Sequence, residues 1–393
     1  MRQPSQSELE SRKGQTIGIV GGGQLGRMLT REATREGYRV VVFTDEYPPS
    51  PAGQLADVEI NAPYFDPDAL SDFVSQVDVV TLEFENIPEE FLRALEQRVP
   101  VFPSSEAVAT CQNREREKEF LKKNKIAHAE FMIVDSAESL QKAVIKIGGD
   151  CMLKTAAFGY DGKGQMRLSG AAEQDWNKIW QEFGASRGVL EKLIAFEKEI
   201  SVIGARGQDG EIALYQPVEN RHVNQVLDLT IAPAQLSDEL KMEAYALCEK
   251  VLKAFSYVGV LAVEMFVTTD GQILVNEIAP RPHNSGHYSI DACHSNQFEQ
   301  QLRAITGMPL GSTEQHSPAV MLNLLGDIWK DGQTPDWEKV HARESAKLHL
   351  YGKKSARPGR KMGHITLSTA DKEVPALSLL AEVEELRQSL SKT

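Results

Sequence analysis

Apolar and polar positions alternate at two different periods along the first hundred residues. Four short runs are rich in β-forming residues and predict strands, at 16–20, 38–43, 57–60 and 77–82. The stretches 25–36 and 67–76 between them repeat their apolar positions at helical spacing. Strands that alternate with helices predict a parallel sheet covered by helices. We expect this α/β unit, an N-terminal domain of Rossmann type, to span residues 15–110.

The pattern changes beyond this unit. The charged stretch 112–126 predicts a solvated helix with i,i+4 ion pairs. Further predicted elements are strand-and-loop segments at 151–168 and 188–203, an amphipathic helix at 237–256, a hairpin at 258–279, strands in "AVMLNLLG", "AKLHLYG" and "GHITLS", and a final helix at 374–390. We expect one domain over residues 111–310 and a small β-rich C-terminal domain over 311–393.

The hairpin at 258–279 carries two carboxylates. Asp270-Gly271 between two apolar runs predicts a two-residue turn, and this register places Glu264 directly opposite Glu277. Their Cβ atoms would lie ~4.5–5.5 Å apart, among apolar neighbours on both faces. Such a pair requires a bound proton, a neighbouring Lys or Arg, or a metal cation. With Asn276 beside them, these oxygen ligands favour Mg²⁺ over zinc, and Mg²⁺ favours a nucleoside triphosphate.

Two glycine-rich segments could contact phosphate. In 151–165, a strand with Lys154 leads into a loop with three glycines and Lys163, although a plain hairpin explains the glycines equally well. In "TIGIVGGGQLGRML", Gly21, Gly23 and Gly26 have the G-x-G-x-x-G spacing of dinucleotide sites, and Asp45 follows where a ribose-binding acid is expected. An NAD-dependent oxidoreductase is therefore one alternative, although it leaves the facing carboxylates unexplained.

Composition narrows the classes of function. The chain has 393 residues and a formal net charge of −13, which argues against binding to nucleic acid or to an anionic membrane. Four scattered cysteines fit a reducing compartment. Residues 1–14 lack the apolar core of a signal peptide, and no apolar run is long enough to cross a bilayer. We therefore predict a cytoplasmic protein.

Six motifs occur in the order typical of one enzyme family: "GGGQLGRM", "EFENIP", "LKT…GYDGKGQ", "FEKEIS", "NEIAPRPHNSGH" and "HLYGK…RPGRKMGHI". Together they resemble the N5-carboxyaminoimidazole ribonucleotide synthetases of purine biosynthesis, members of the ATP-grasp superfamily. The resemblance covers roughly residues 15–390. It implies an ATP-grasp fold with a mobile lid subdomain at about 130–200. One departure is Ala156-Ala157, where many relatives have an Arg after "LKT".

The resemblance also implies site residues. ATP would be bound by residues along the whole middle domain: Arg114, Lys154, Gly159, Tyr160, Asp161, Gly162, Lys163, Gly164, Gln165, Glu191, Lys192, Leu193, Ile194, Glu199, His222, Asn276 and Glu277. Glu264 and Glu277 match the metal ligands, and two Mg²⁺ ions are expected. The aminoimidazole ribonucleotide would contact Gln24, Leu25, Glu83, Glu85, Tyr160, Asp161, Arg281, Lys353 and Arg360. Lys154, Lys163, Arg281 and His283 are the candidate catalytic residues.

The implied reaction is an ATP-dependent carboxylation of 5-aminoimidazole ribonucleotide by bicarbonate through carboxyphosphate. The resemblance also implies a homodimer, with a possible transfer of the product to the mutase that follows. Two further alternatives stay open besides the oxidoreductase. One is another ATP-grasp carboxylate–amine ligase that acts on a phosphorylated metabolite, and the other is a nucleotide-binding module without catalytic activity.

Overall fold

The computed structural model describes residues 14–156, 164–170 and 174–391, which form three sheets. The first, the N-terminal sheet, contains four parallel strands in the order β3-β2-β1-β4. Its strands and helices, in chain order, are β1 (Thr16–Val20), α1 (Gln24–Arg35), β2 (Arg39–Thr44), β3 (Val58–Asn61), α2 (Pro67–Gln76), β4 (Val79–Leu82), α3 (Glu89–Glu96) and α4 (Ser105–Gln112). The predicted parallel sheet is confirmed.

The second sheet, called the small sheet, is antiparallel with the order β5-β8-β6-β7. The elements of this part of the chain are α5 (Arg114–Lys123), β5 (Phe131–Val134), α6 (Ala137–Ile147), β6 (Cys151–Thr155), β7 (Gln165–Leu168), α7 (Trp176–Phe183) and β8 (Gly188–Lys192). Lys154 therefore lies on the middle strand β6, directly beside β8.

The third sheet, called the central sheet, is antiparallel with nine strands. Its main order is β14-β13-β9-β11-β12-β15-β17-β16, and β10 pairs with β9. The remaining elements are β9 (Phe196–Arg206), β10 (Ile212–Leu214), β11 (Val218–Val223), β12 (Val226–Ala232), α8 (Asp238–Ala254), β13 (Gly259–Thr268), β14 (Ile273–Ala279), α9 (Ser289–Ala292), α10 (Gln297–Ile305), β15 (Ala319–Leu325), α11 (Glu338–His341), β16 (Ala346–Leu350), β17 (Lys361–Ser368) and α12 (Leu380–Ser391). Single 3₁₀ turns lie at Asn284–Gly286, Gly326–Ile328, Lys330–Gly332 and Ala376–Leu379.

The C-terminal strands are part of this central sheet. β15 pairs with β12 along four residue pairs, and β17 and β16 follow outward. Helix α12 covers one face of this extension through Val383, Leu386 and Leu390, which are buried in a common core with β15 and β17. The predicted β-rich C-terminal segment thus adds strands to the central sheet.

Helix α5 differs from its prediction. The side chain of Asn113 caps its N-terminus by accepting hydrogen bonds from the amides of Glu115 and Arg116. The helix is not simply solvated, however, as its charges had suggested. Glu117, Lys118 and Leu121 are buried, and Lys118 is fully inaccessible. Because the sequence shows charges on every side of this helix, its pattern alone hides which face packs inward.

The hairpin of β13 and β14 also differs in detail. Its loop has three residues rather than two, because the amide of Thr268 donates to the carbonyl of Gln272 and Gly271 takes φ +80°. This shift by one residue is reversed by a bulge at Asn276, beyond which Glu264 pairs with Glu277. The predicted pairing of the two carboxylates is therefore confirmed, although the predicted register near the turn is wrong.

None of the helices in the described ranges combines the length and apolar character that a membrane span requires.

Candidate active site

A cavity of about 530 Å³ opens between the central sheet, the small sheet and the start of α5. Many residues that the sequence singled out line it: Glu85, Arg114, Gln165, Glu199, His222, Glu264, Asn276, Glu277, Arg281 and His283. A second cavity of about 520 Å³, between Lys198, Pro233 and Lys372, contains none of the predicted site residues. The first cavity is therefore the candidate active site.

Glu264 and Glu277 face each other in this cavity. The side chain of Glu264 is 14% exposed and that of Glu277 is 41% exposed, so Glu277 is the more open of the two. Burial, and then the charge of Glu277, raise the pKa of Glu264. The buried Oδ1 of Asn276 on the bulge between the strands has no hydrogen-bond partner among the residues that the structure describes. Two carboxylates and an unpaired amide oxygen suit a hard cation such as Mg²⁺.

Two side chains contact the carboxylates directly. Arg114 Nη1 lies 3.4 Å from Glu277 Oε2, and His283 Nε2 lies 3.0 Å from Glu264 Oε1. Burial, followed by the charge of Arg281, lowers the pKa of His283 well below its usual value, so this imidazole is neutral. Since the amide of Ser285 donates to its Nδ1, we assign the proton to Nε2, where it is donated to Glu264.

Lys154 belongs to a buried network of charges. Its Nζ lies 3.1 Å from Glu191 Oε1, and Lys118 Nζ lies 3.2 Å from Glu191 Oε2. Burial lowers the pKa of Lys154 despite this carboxylate. Burial alone would raise the pKa of Glu191, but Lys118 and then Lys154 lower it to about 2. Glu191 therefore stays ionised and orients Lys154 on its strand.

Two backbone amides at the junction of β8 with the segment that follows it are already hydrogen-bonded within the protein. The amide of Lys192 donates to the carbonyl of Glu130, and the amide of Leu193 donates to that of Asp150. Across the cavity, His222 Nδ1 lies 2.9 Å from Glu199 Oε2. Burial lowers the pKa of His222, but Glu199 more than offsets this and raises it. Glu199 and His222 thus form a polar pair on β9 and β11.

Arg281 and Glu85 form a bidentate ion pair between the segment after β14 and the N-terminal sheet. Burial favours the neutral form of Glu85, yet the charge and hydrogen bonds of Arg281 lower its pKa overall. The same carboxylate raises the pKa of Arg281 against the effect of burial. This pair fixes the guanidinium in the wall of the cavity, which Glu85 also lines.

Two backbone amides of the first glycine loop already have a hydrogen-bond acceptor from the protein itself. The carboxylate of Glu83 accepts the amide of Gly23 at 2.9 Å and that of Gly26 at 3.2 Å, at the N-terminus of α1. A Cβ on Gly23 would lie 2.6 Å from Glu83 Oε1, so the glycine permits this approach. Part of the helix terminus that a dinucleotide pyrophosphate would need is therefore already occupied by a carboxyl group of the protein. This finding argues against the NAD alternative.

The C-terminal basic loop reaches the same helix. Lys353 Nζ donates to Gln24 Oε1 at 2.7 Å, and Leu25 is buried one residue further along α1. Burial, followed by the charge of Arg360, lowers the pKa of Lys353 to about 8. Arg360 donates to the carbonyl and hydroxyl of Ser355. The two cationic side chains thus lie on one loop beside the start of α1.

Some predicted residues fall outside the described ranges, namely Gly159, Tyr160, Asp161, Gly162 and Lys163. The two residues that follow are described. Gly164 has φ +70°, and Gln165 pairs with Lys154 at the start of β7. The described residue Gln165 therefore lies beside the lysine that was predicted to contact phosphate.

Sequence analysis missed Glu117 and Lys118. Both are buried, and Glu117 lines the cavity. Glu117 accepts a hydrogen bond from the amide of Ile278, and Lys118 donates to the carbonyl of Asn276. The one available signal was Leu121, an apolar residue in a charged helix that lies three and four positions after these two. At helical spacing it places all three on one buried face.

Comparisons with known proteins agree with this arrangement. Family models match along the chain: a ribonucleotide synthetase preATP-grasp domain at residues 14–112, an ATP-grasp domain at 119–298 and a phosphoribosylaminoimidazole carboxylase C-terminal domain at 319–375. An N5-carboxyaminoimidazole ribonucleotide synthase of Brucella melitensis is 44% identical over 356 residues, which cover 90% of this chain and 96% of the relative.

Solved structures give the same result. An N5-carboxyaminoimidazole ribonucleotide synthetase in complex with ADP superposes with a TM-score of 0.86 at 40% identity, covering 96% of this chain and 98% of that one. An N5-carboxyaminoimidazole synthase of Aspergillus clavatus, in complex with ADP and 5-aminoimidazole ribonucleotide, gives a TM-score of 0.86 at 32% identity, covering 97% and 100%.

Proposed function

Because the chain belongs to the N5-carboxyaminoimidazole ribonucleotide synthase family of ATP-grasp ligases, we propose that it carboxylates 5-aminoimidazole ribonucleotide. The co-substrates are ATP and bicarbonate, and the products are N5-carboxyaminoimidazole ribonucleotide, ADP and phosphate. The observation that carries this proposal is the pairing of Glu264 with Glu277 in a cavity that also contains Arg114, Arg281 and His283. This donor set suits the phosphates of a nucleotide and their metal ion.

The Mg²⁺ site of this proposal consists of Glu264, Glu277 and the unpaired Oδ1 of Asn276. These oxygens fit the preference of Mg²⁺, and two ions are expected by analogy with the family. When bound, Mg²⁺ neutralises charge on the phosphoryl group that is transferred. Without a cation, the two carboxylates repel each other, which adds to the larger effect of burial in raising the pKa of Glu264.

ATP would lie between the small sheet and the central sheet. Lys154 and Arg114 would bind its phosphates, Glu199 and His222 its ribose, and residues 191–194 its adenine. The loop 159–165 with Lys163 would cover the phosphates, and the lid at about 130–200 would exclude water from carboxyphosphate, an intermediate that hydrolyses readily. The buried position of Lys154 and its contact with Glu191 support this assignment.

The ribonucleotide would lie toward the N-terminal sheet. Lys353 and Arg360 would bind its 5′-phosphate with groups of Gln24 and Leu25. Glu83 or Glu85 would face its aminoimidazole, with Tyr160 and Asp161 from the loop nearby. A phosphate dianion favours the protonated form of Lys353, whose pKa of about 8 is already close to neutral pH. The position of this basic loop beside α1 supports the assignment.

The chemistry has two steps. The γ-phosphoryl group of ATP passes to a bicarbonate oxygen, which gives carboxyphosphate and ADP. The exocyclic amine of the ribonucleotide then bonds to the carboxyl carbon, directly or after release of CO₂ in the site, and phosphate leaves. Arg281 would bind the bicarbonate anion, and the neutral His283 offers a Nε2 proton at the same place.

Three further features belong to this proposal. The chain would act as a homodimer in the cytoplasm, where its four free cysteines would stay reduced. It would transfer its labile product to a mutase. Light scattering of the purified protein tests the dimer.

The proposed activity is tested by ADP release from Mg-ATP, with bicarbonate and aminoimidazole ribonucleotide added separately and together. We expect turnover that requires the ribonucleotide and forms the carbamate only with bicarbonate. Lys353→Gln should raise KM for the ribonucleotide more than KM for ATP. Turnover that is indifferent to both additions would contradict the assigned substrates and favour another ATP-grasp carboxylate–amine ligase.

A further inference from the structure

Strand β14 forms one edge of the central sheet, and its free side is covered by side chains and by one adjacent segment. An edge strand leaves backbone amides and carbonyls without a partner strand. Here the amide of Val275 donates to the carbonyl of Ala127 at 2.8 Å. Lys118 Nζ donates to the carbonyl of Asn276 at 2.9 Å, and Glu117 Oε1 accepts the amide of Ile278 at 2.7 Å.

These contacts lie on either side of Glu277. Asn276 is the bulged residue and Ile278 is the first residue after Glu277, so Glu117 and Lys118 bind the backbone immediately before and after this carboxylate. A bulge interrupts the ladder with the neighbouring strand and leaves its extra residue unpaired. Glu117 and Lys118 therefore supply hydrogen bonds that a neighbouring strand would otherwise make on either side of Glu277. These bonds hold the bulge at Asn276, which keeps Glu277 opposite Glu264.

Lys118 also contacts the small sheet. Its side chain is fully buried, and the same ammonium lies 3.2 Å from Glu191 Oε2, while Lys154 Nζ lies 3.1 Å from the other oxygen of Glu191. One buried cation thus connects the backbone of β14 to the carboxylate on β8. Without it, Lys154 would be the sole close lysine partner of Glu191 among these contacts and would be drawn more strongly toward that carboxylate.

We infer that Glu117 and Lys118 are positioning residues for the metal carboxylate Glu277 and for Lys154. This inference rests on the proposed function, since it assigns Glu277 to metal binding and Lys154 to phosphate. In the proposed function, neither side chain is a ligand of the metal or of the phosphates. Their effect is to fix the bulge that directs Glu277 into the cavity and to keep Lys154 available to ATP.

The experiment measures Mn²⁺ affinity by electron paramagnetic resonance with saturating ADP, for the full-length wild type and for variants of α5. Lys118→Met removes the charge and the donor while retaining the length of the side chain. We expect it to weaken Mn²⁺ binding about 10–100-fold, as other changes behind a metal ligand do. Lys118→Arg should recover part of the affinity. Lys122→Met, an exposed lysine on the same helix, should leave it unchanged.

A second pair of variants separates positioning from folding. Glu117→Leu removes the acceptor for the amide of Ile278, whereas Glu117→Gln keeps an oxygen there. The Leu variant should bind Mn²⁺ at least about tenfold more weakly, and the Gln variant should remain within about threefold of the wild type. This pair decides the question even if Lys118→Met fails to fold by circular dichroism.

Wild-type Mn²⁺ affinity in folded Lys118→Met and Glu117→Leu would overturn the inference. The assay needs neither bicarbonate nor ribonucleotide, so its result does not depend on the assigned substrates. A wild type that binds Mn²⁺–ADP but does not carboxylate would contradict the proposed reaction and leave the inference standing. In the steady-state assay, KM for ATP should rise and kcat should fall in Lys118→Met, and Lys118→Arg should reverse part of both changes.

Discussion

Glu264 and Glu277 place two carboxyl groups on directly paired residues, where two negative charges would destabilise the sheet in the absence of a cation. The chain accommodates it by placing Arg114 against Glu277 and a neutral imidazole against Glu264. Each of these two side chains contacts only one of the two carboxylates. The space between them is therefore suited to a divalent cation rather than to a lysine or arginine of the protein.

At this scale we predict that Glu264→Gln separates metal binding from stability. The amide oxygen can still accept from His283 Nε2, and the substitution removes repulsion from Glu277, so Tm without metal should stay equal or rise. Binding of Mn²⁺–ADP should weaken at least about tenfold because an anionic ligand is lost. Thermal melting and Mn²⁺ titration measure the two effects. Unchanged metal affinity would contradict the assignment of Glu264 as a ligand.

Single residues were predictable from sequence where strand pairing brings them together. The pairing of Glu264 with Glu277 followed from the hairpin signal, and the structure confirms it. Contacts of Glu83 with the amides of Gly23 and Gly26 could not be predicted in this way, because they join residues 57 and 60 positions apart in the chain. Sequence spacing describes neighbours on one element, whereas a cap supplied from another strand depends on how the whole sheet is ordered.

The elements themselves were the most predictable part of the fold. Strands β1 and β2 and helices α1 and α2 lie within one or two residues of their predicted bounds, since their apolar periods are strong. Helix α5 was located correctly, but its buried face was missed because Glu117 and Lys118 look like surface residues. The turn of the β13–β14 hairpin was assigned one residue too short, because Asp-Gly also fits a three-residue loop with glycine last.

Gly271 provides a test at the scale of this hairpin. Its φ of +80° is unfavourable for an alanine, yet in the described part of the chain no atom beyond the two neighbouring residues lies within 4 Å of an added Cβ. Gly271→Ala should therefore lower the free energy of unfolding by about 1 kcal/mol through backbone strain alone. Gly271→Asn should cost less, because asparagine adopts this conformation more readily. Urea denaturation measures both, and equal losses in the two variants would contradict a strain mechanism.

At the scale of the molecule, a cluster of histidines joins the C-terminal strands to the rest of the chain. His349 and His364 stack across β16 and β17 with ring centroids 4.4 Å apart, and His287 from the segment after β14 lies 4.9 Å from His364. Asp291 accepts from His349 at 2.8 Å, and the Tyr351 hydroxyl lies 2.9 Å from His364 Nδ1. This interface is therefore polar, and His287 and His364 are fully buried in it.

The cluster predicts loss of stability in mild acid. Burial is the main cause that lowers the pKa of His287 and of His364 well below 6.5, so both stay neutral when folded but bind protons when unfolded. Their contribution is complete above the unfolded pKa of about 6.5 and is lost as pH falls below it. The free energy of unfolding should fall by about 1.4 kcal/mol per pH unit for each histidine.

Urea denaturation at several values between pH 7 and pH 5 measures this slope. His364→Gln should reduce the slope of the free energy of unfolding against pH by the contribution of one histidine. His341→Gln, at an exposed position, should leave this slope unchanged. An equal slope in His364→Gln and the wild type would show that acid acts elsewhere in the molecule.

The pairing of β12 with β15 has a consequence for synthesis on the ribosome. β12 ends at residue 232 and β15 begins at residue 319, so at ~5–20 residues per second the ribosome needs roughly 4 to 18 seconds to make the second strand after the first. During that time the nascent chain presents an open edge that another chain could join. Chaperone occupancy and premature termination in this interval should therefore decide how much of the protein escapes aggregation.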